Sequence, residues 1–327
     1  MASTESTDFT SPGMLAFLNG NFLPVEQLHI SVFDQGVVHG VAITEMLRTF
    51  QGQLPRLEEH LLRLQASADL CGLDVPFARA DLREIAFRLV THNWGQLEQP
   101  GELGLIISVT PGLNPTYTGK RDCEPTCYMH TFELPGELWA DATVAGQHLA
   151  VSQVPQIPTE CVPANAKTRS RMAWYLADRE VRTRYPGARA VVLDQYGYVR
   201  ETSTANVFVV RSERLLTPPE RDVLPGICRA VTLKLARDLG FDVCETPVTM
   251  DDLLQAEEIF TTSTPYALLG VSRLNSTSAG LQFPGPRTRQ LLESWNSLVG
   301  LDIHGQLRDI ADRRSDARNH GSRSGEL

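Results

Sequence analysis

Between residues 190 and 217 four short apolar runs (190–194, 198–201, 206–210 and 215–217) follow one another with gaps of only a few residues. A parallel crossover needs a dozen or more residues, usually a helix, so such closely spaced runs predict antiparallel strands joined by tight turns. Residues 14–23 read the same way, because Asn19-Gly20 supplies the positive backbone angles of a hairpin turn. Residues 42–54 repeat the pattern around Gln51-Gly52, and the strand at 103–110 returns at 126–134 after a loop rich in Pro and Gly. Further strands are expected at 143–153 and 259–262. Helices interleave with these hairpins. Leu57, Leu61, Leu64, Ala68 and Cys71 recur at helical spacing and predict a helix over 57–70, followed by another over 79–93. Met172, Tyr175, Leu176 and Ala177 mark one face of a third, and Ile227, Val231, Leu235 and Leu239 stripe a fourth that Gly240 ends. A last helix is expected over 288–299. The chain is therefore α+β. It lacks both the regular strand–helix alternation of a doubly wound sheet and a glycine-rich dinucleotide fingerprint.

At 327 residues one large or two medium domains are expected. The pattern divides into a smaller N-terminal domain over 14–137, a linker at 138–142 and a larger C-terminal domain over 143–303. Residues 1–13 are rich in Ser and Thr, and the segment from Gly305 alternates Arg, Asp, Ser and Gly, so 1–13 and 304–327 are expected to be disordered tails. A net charge of −9 argues against a nucleic-acid partner. No apolar run is long enough to span a bilayer, so no membrane partner is expected. The N-terminus has neither a basic n-region nor an apolar h-region, which makes the cytoplasm the expected location. The six cysteines are scattered; Cys123 and Cys127 lie close together without a second pair or a nearby His, so no metal is expected.

Three features carry possible chemistry. Lys167 stands in Asn165-Ala166-Lys167-Thr168, which reads as the mouth of a helix. Glu201 follows a hairpin, and Leu224-Pro225-Gly226-Ile227-Cys228 opens another helix. Each has an ordinary reading: a solvated lysine, a surface carboxylate paired with Arg200 or another base, and a proline–glycine turn. Together they supply an amine for a Schiff base, an anion to keep a ring nitrogen protonated, and helix amides for a phosphate. Those are the requirements of pyridoxal phosphate. His60 and Arg63 lie one turn apart on the first helix; Arg63 gains a role if a phosphate needs a counter-cation.

The order of these features resembles the class IV aminotransferases, a family that includes branched-chain and D-amino acid aminotransferases and aminodeoxychorismate lyase. The likeness covers residues 14–299. It rests on ISVFDQG at 30–36, Gly40, Glu45, HLLRL at 60–64 and Lys167. It continues through GYVRE at 197–201, NVF at 206–208, Thr217-Pro218, LPGICR at 224–229, AEEIF at 256–260 and TST at 262–264. The resemblance implies a two-domain fold: a small N-terminal α/β domain and a larger C-terminal domain with a mostly antiparallel, barrel-like sheet. It implies a pyridoxal 5'-phosphate-dependent homodimer acting on amino acids and 2-oxo acids, with the cofactor in the cleft between the domains. Lys167 would form the aldimine with the cofactor and act as the acid and base. Glu201 would hold the pyridine nitrogen, and Arg63, the Ile227 and Cys228 amides and Thr264 would hold the phosphate. The substrate would be met near His39, Thr44 and Pro265.

Specificity is less legible. A tyrosine that supports the cofactor in branched-chain enzymes is replaced here by Met172, and an arginine of the D-amino acid enzymes by Pro111. His39 and Thr44 replace a tyrosine and an apolar residue of the branched-chain pocket. Arg48, Lys120, Arg169 and Arg171 are all candidates for reading a substrate carboxylate. Transfer from branched-chain L-amino acids to 2-oxoglutarate is the leading expectation. The alternatives are another amine or D-amino acid transaminase of this fold, or aminodeoxychorismate lyase, which Arg171 four residues after the lysine resembles.

Overall fold

The computed structural model describes residues 13–98, 101–120, 123–278 and 280–323, with the side chains beyond 316 left undescribed. They form two compact units: the described residues up to Leu134 together with Ala166–Ser170, and Pro135–Asn165 together with the chain from Arg171 onward.

The first unit is an antiparallel five-stranded sheet in the order β2-β1-β5-β4-β3. Its elements are β1 (Leu15–Leu18), β2 (Asn21–Pro24), the single turn α1 (Gln35–Val38), β3 (Ile43–Arg48), α2 (Leu57–Cys71) and α3 (Arg79–Trp94). β4 (Leu103–Thr110), a second single turn α4 (Pro115–Thr118) and β5 (Thr126–Glu133) complete it. The expected hairpin at 14–23 forms, with Asn19 and Gly20 both at positive φ. The turn at Gln51-Gly52 also forms, but it closes only a bridge between Phe50 and Gln53; β3 takes β4 as its partner. Leu57, Leu61, Leu64 and Ala68 of α2 pack with Leu82, Ala86, Leu89 and Val90 of α3 against Ile43, Leu47, Leu105 and Ile107 of the sheet.

The second unit opens with α5 (Ala140–Ala145), then β6 (Gln147–Val151), α6 (Met172–Arg184), β7 (Arg189–Leu193), β8 (Val199–Thr202), β9 (Asn206–Arg211) and β10 (Arg214–Thr217). α7 (Ile227–Asp238), β11 (Asp242–Glu245), α8 (Met250–Leu254), β12 (Glu258–Ser263), β13 (Ala267–Leu274), α9 (Pro286–Val299) and α10 (Ile303–Arg323) follow. The strand order is β11-β10-β9-β12-β13-β6-β7-β8, and β8 also pairs with β9. That extra pairing closes β9, β12, β13, β6, β7 and β8 into a six-stranded barrel-like sheet. Only β13–β6 and β6–β7 run parallel; the other pairs in the ring are antiparallel. The α+β architecture and the mostly antiparallel, barrel-like second sheet are therefore as expected.

Several sequence expectations need correction. The proposed linker at 138–142 is ordered secondary structure, split between a 3-10 turn at Gly136–Leu138 and α5. The strand expected over 143–153 is shorter, because 140–145 coil into α5. Gly146 ends that helix at φ +79, and a Cβ there would lie 2.6 Å from the Ser272 side chain. Residues 166–170, expected in the C-terminal domain, belong to the first unit. The expected disorder of 304–327 gives way to α10 as far as Arg323. Ile303, Leu307 and Ile310 recur at helical spacing and are fully buried, so docking of a narrow apolar stripe orders a segment whose composition is polar. The tail expected at 1–13 lies, apart from Gly13, outside the described residues.

Leu307→Ala tests that docking. Loss of a fully buried leucine should cost about 2–5 kcal/mol, measured as a fall in the urea unfolding midpoint.

Candidate active site

In the first unit the candidate residues gather around a carboxylate at a core position. Alternation along β3 puts Glu45 on the face of Ile43 and Leu47, and all three are fully buried against α2. An unpaired buried carboxylate costs several kcal/mol, so partners are required. α2 provides them one turn apart. Arg63 meets Glu45 with two bonds, Nε to Oε1 and Nη2 to Oε2, each 2.7 Å. His60 Nδ1 lies 2.7 Å from Oε2. Burial by itself would raise the Glu45 pKa, but Arg63 and then His60 outweigh it and hold the carboxyl well below the usual range. Burial pushes the His60 imidazole down by more than Glu45 raises it, and the charges of Arg63 and Lys167 push it the same way. His60 is therefore neutral at pH 7 and donates its Nδ1–H to Glu45.

Lys167 is half-buried and lies in extended chain rather than at a helix mouth; α6 starts five residues later, at Met172. Its carbonyl accepts the Thr44 N–H at 2.9 Å, the Arg169 N–H reaches the Ala42 carbonyl at 2.8 Å, and Ile43 and Thr168 form a bridge. The Lys167 N–H is donated to the Ser67 hydroxyl of α2 at 3.0 Å. Lys167 and Arg63 are thus both referred to α2 and β3. Sequence reasoning missed Ser67, although its place four residues after Arg63 and seven after His60 puts all three on one helical face.

In the second unit Glu201 on β8, Asn206 on β9 and Thr262 on β12 sit opposite one another across three strands. Phe208 and Phe260 stack in the adjoining row, with centroids 4.9 Å apart. Glu201 is buried. Its Oε2 accepts from Asn206 Nδ2 at 3.0 Å and its Oε1 from the Leu224 N–H at 3.2 Å. Arg200, on the opposite strand face, is held by Asp194 and Asp222 at 2.5 and 2.7 Å, so the ordinary reading of a surface Glu201–Arg200 pair does not hold. Asn206 Nδ2 also donates to the Leu224 carbonyl at 2.9 Å, which fastens the turn before α7 to the same row.

Gly226 caps α7 without a side-chain hydrogen bond, and a Cβ on it would lie 2.1 Å from Asn206 Oδ1. Ile227 and Cys228 are the first two residues of that helix, which packs on β12 and β13. Thr264 (half-buried) and Pro265 (buried) form the turn between those strands. The next residue, Tyr266, donates or accepts at Thr261 Oγ1 (2.9 Å); burial, aided by the Cys228 thiol, pushes its phenol up to about 12. The Thr262 hydroxyl, in a residue only 2% exposed, has no hydrogen-bond partner among the described residues.

The remaining candidates are more scattered. His39 is exposed at the end of α1. The Thr44 hydroxyl is engaged within the sheet by the Ile107 carbonyl at 2.9 Å and Ser108 Oγ at 3.0 Å. Arg48 is buried, with its guanidinium 4.2 Å from the Phe50 ring centroid. Lys120, Arg169 and Arg171 are exposed, and Arg171 donates to the Ser203 carbonyl. Met172 is 69% exposed.

The residues of the second unit fit the ring and phosphate of pyridoxal phosphate. An uncapped helix start, a glycine with no room for a Cβ and an orphaned buried hydroxyl suit a phosphate. A buried carboxylate that accepts from the Asn206 amide and the Leu224 N–H suits a protonated ring nitrogen. Comparison with known proteins agrees. The model of the family described as amino-transferase class IV matches residues 42–274, and the chain belongs to that family. It is a pyridoxal-phosphate-dependent transaminase. A Methanocaldococcus jannaschii protein provisionally named a branched-chain-amino-acid aminotransferase is 28% identical over 87% of this chain and 96% of its own. The D-alanine aminotransferase of Bacillus licheniformis is 27% identical over 85% of this chain and 94% of its own. A solved branched-chain amino acid aminotransferase from the organism abbreviated T.th., complexed with N-(5'-phosphopyridoxyl)-L-glutamate, is 26% identical. It matches with a TM-score of 0.75 over 88% of this chain and 94% of that one.

Glu45→Gln keeps the shape and removes the charge facing Arg63, which should cost about 3–5 kcal/mol in urea unfolding. His60 and Glu45 both have folded pKa values below their unfolded ones, so the unfolded chain binds more protons and stability falls with falling pH. The His60 contribution should be complete above about 6.5 and lost below it; that of Glu45 is lost below about 4.5. His60→Gln should remove the first step from the stability–pH curve.

Proposed function

We propose that this chain transfers the amino group of branched-chain L-amino acids to 2-oxoglutarate, with Lys167 as the catalytic lysine. The observation that carries this reading is the anchoring of Lys167 by β3 and α2, in a chain whose relatives include proteins named as branched-chain aminotransferases. The T.th. enzyme, captured with a phosphopyridoxyl adduct of L-glutamate, supports glutamate and 2-oxoglutarate as the second substrate pair.

Pyridoxal phosphate, when bound, supplies a carbonyl carbon that takes up the amino group and a ring that accepts the electrons left at the substrate's alpha carbon. The Lys167 amine would take the proton from that alpha carbon and deliver it to the cofactor's carbonyl carbon, on the far side of the nitrogen being transferred. Glu201, held by Asn206 and the Leu224 amide, would keep a proton on the ring nitrogen. Arg63, the Ile227 and Cys228 amides and Thr264 hold the phosphate. His39, Thr44 and Pro265 belong to the substrate side of the proposal. Of its remaining parts, a homodimer rests on the family resemblance and a cytoplasmic location on the composition of the N-terminal residues; among the described residues no helix is long and apolar enough to cross a membrane.

A second reading, D-amino acid transamination, is favoured by the D-alanine aminotransferases among the relatives. Pro111, where those enzymes carry an arginine, weighs against it.

Absorbance titration of the cofactor-loaded protein with L-leucine, L-glutamate, D-alanine and aminodeoxychorismate separates the readings. L-leucine and L-glutamate should each convert the bound cofactor to its amine form. Conversion by D-alanine alone would establish the second reading. Pyruvate released from aminodeoxychorismate without a response to leucine would make the protein a lyase. Lys167→Ala should abolish turnover without unfolding the chain, and undiminished activity would remove Lys167 from the mechanism. Glu201→Gln should slow proton removal at the alpha carbon, seen as a larger fall in kcat than in cofactor affinity.

A further inference from the structure

Ser67, one turn beyond Arg63 on α2, has no part in the cofactor contacts above. It is nevertheless fully buried, where most hydroxyls have a hydrogen-bond partner. Its Oγ accepts the main-chain N–H of Lys167 at 3.0 Å. Three further bonds tie the lysine segment to residues 40–44. Thr44 donates to the Lys167 carbonyl at 2.9 Å, Arg169 donates to the Ala42 carbonyl at 2.8 Å, and Ser170 Oγ donates to the Gly40 carbonyl at 2.7 Å. The Ser67 bond differs in running to the helix that bears His60 and Arg63. It ties the start of the lysine side chain to the same rigid element as the Glu45–Arg63 pair.

We propose that Ser67 is a positioning residue for the transaminase reaction: by bonding the Lys167 N–H it fixes where the lysine stem leaves the main chain. Ser67 acts through the main chain of Lys167. A small main-chain displacement is carried along four methylenes to the amine, and a misplacement of about 1 Å is enough to cost on the order of 100-fold in rate. Because the three bonds to residues 40–44 survive its removal, the lysine segment should stay on the sheet edge while its aim is lost. The inference rests on Lys167 being the catalytic lysine, so the test examines the two separately.

Full-length, cofactor-loaded Ser67→Ala, Ser67→Cys and Ser67→Thr are compared with wild type. Four quantities are read: kcat, KM for the amino donor, the pH midpoint of the bound cofactor's absorbance change, and the rate of cofactor release. In Ser67→Ala kcat should fall about 10- to 100-fold with KM within about 2-fold, the absorbance midpoint should move, and cofactor release should quicken. Ser67→Thr, which keeps the hydroxyl, should restore most of each; Ser67→Cys, a weaker acceptor of similar size, should fall between. Ala and Thr variants that behave alike, or an Ala variant with wild-type kcat and absorbance midpoint, would overturn the proposal. Should the Ala variant fail to fold, the Cys–Thr comparison decides on the same readouts. In parallel, borohydride reduction of the loaded wild type, followed by peptide mass analysis, should place the cofactor on Lys167. A label on a different lysine overturns both readings. A label on Lys167 with an unaltered Ala or Cys variant overturns only the role of Ser67.

Discussion

A carboxylate in the middle of a hydrophobic face organises the first unit. Glu45 takes a position between Ile43 and Leu47 that its neighbours would suit to an aliphatic side chain, and it can remain charged there only with donors close at hand. Two residues one turn apart on α2 meet that need, which fixes the helix over β3 in both register and rotation. An apolar residue in the same place would pack as well and specify less. The consequence reaches beyond the pair. With α2 set over β3, the next turn of the helix brings Ser67 to the segment 166–170, and the far edge of β3 offers that segment a strand to pair with. The lysine is thus located by a chain of contacts that starts with one buried charge.

In the second unit the corresponding constraint is ring closure. β8 pairs with both β7 and β9, and this closes the barrel and aligns Glu201, Asn206 and Thr262. Asn206 is the pivot of that row. Its amide bonds Glu201 on one side and the Leu224 carbonyl on the other, and its oxygen crowds the only space a side chain on Gly226 could use. Glu201 and the turn that opens α7 are therefore held by one side chain. Substituting Gly226 would disturb both, because neither can shift without Asn206.

Much of this was legible in the order of residues. The Asn19-Gly20 hairpin, the α2 stripe and the closely spaced strands from 190 onward all carry local signals, of periodicity or turn chemistry, that tertiary packing had only to accept. Arg63, Lys167 and Glu201 could be singled out because they sit in short runs of characteristic composition. Three things were not. Residues 140–145 look as much like strand as helix, and the turn at Gly146 against Ser272 decides between them. α10 carries only Ile303, Leu307 and Ile310 as an apolar stripe in a highly charged segment, so its order depends on a surface that the segment itself does not encode. Ser67 is an unremarkable residue on a helix until the chain brings back a backbone N–H from a hundred residues away.

By itself, the sequence determined the α+β class, the places of most helices and hairpins, and the likeness to a pyridoxal-phosphate-dependent family. All of these depend on spacing over a few residues. Only the tertiary structure decided that Lys167 belongs with the first unit, and that its main chain is held by β3 and by Ser67. Only it decided that His60 is neutral beside an ionised Glu45, and that Glu201 looks to Asn206 rather than to Arg200. The physical reason is common to all four. Hydrogen-bond partners and desolvation are set by what surrounds a group in space, and in this chain those surroundings come mostly from distant segments.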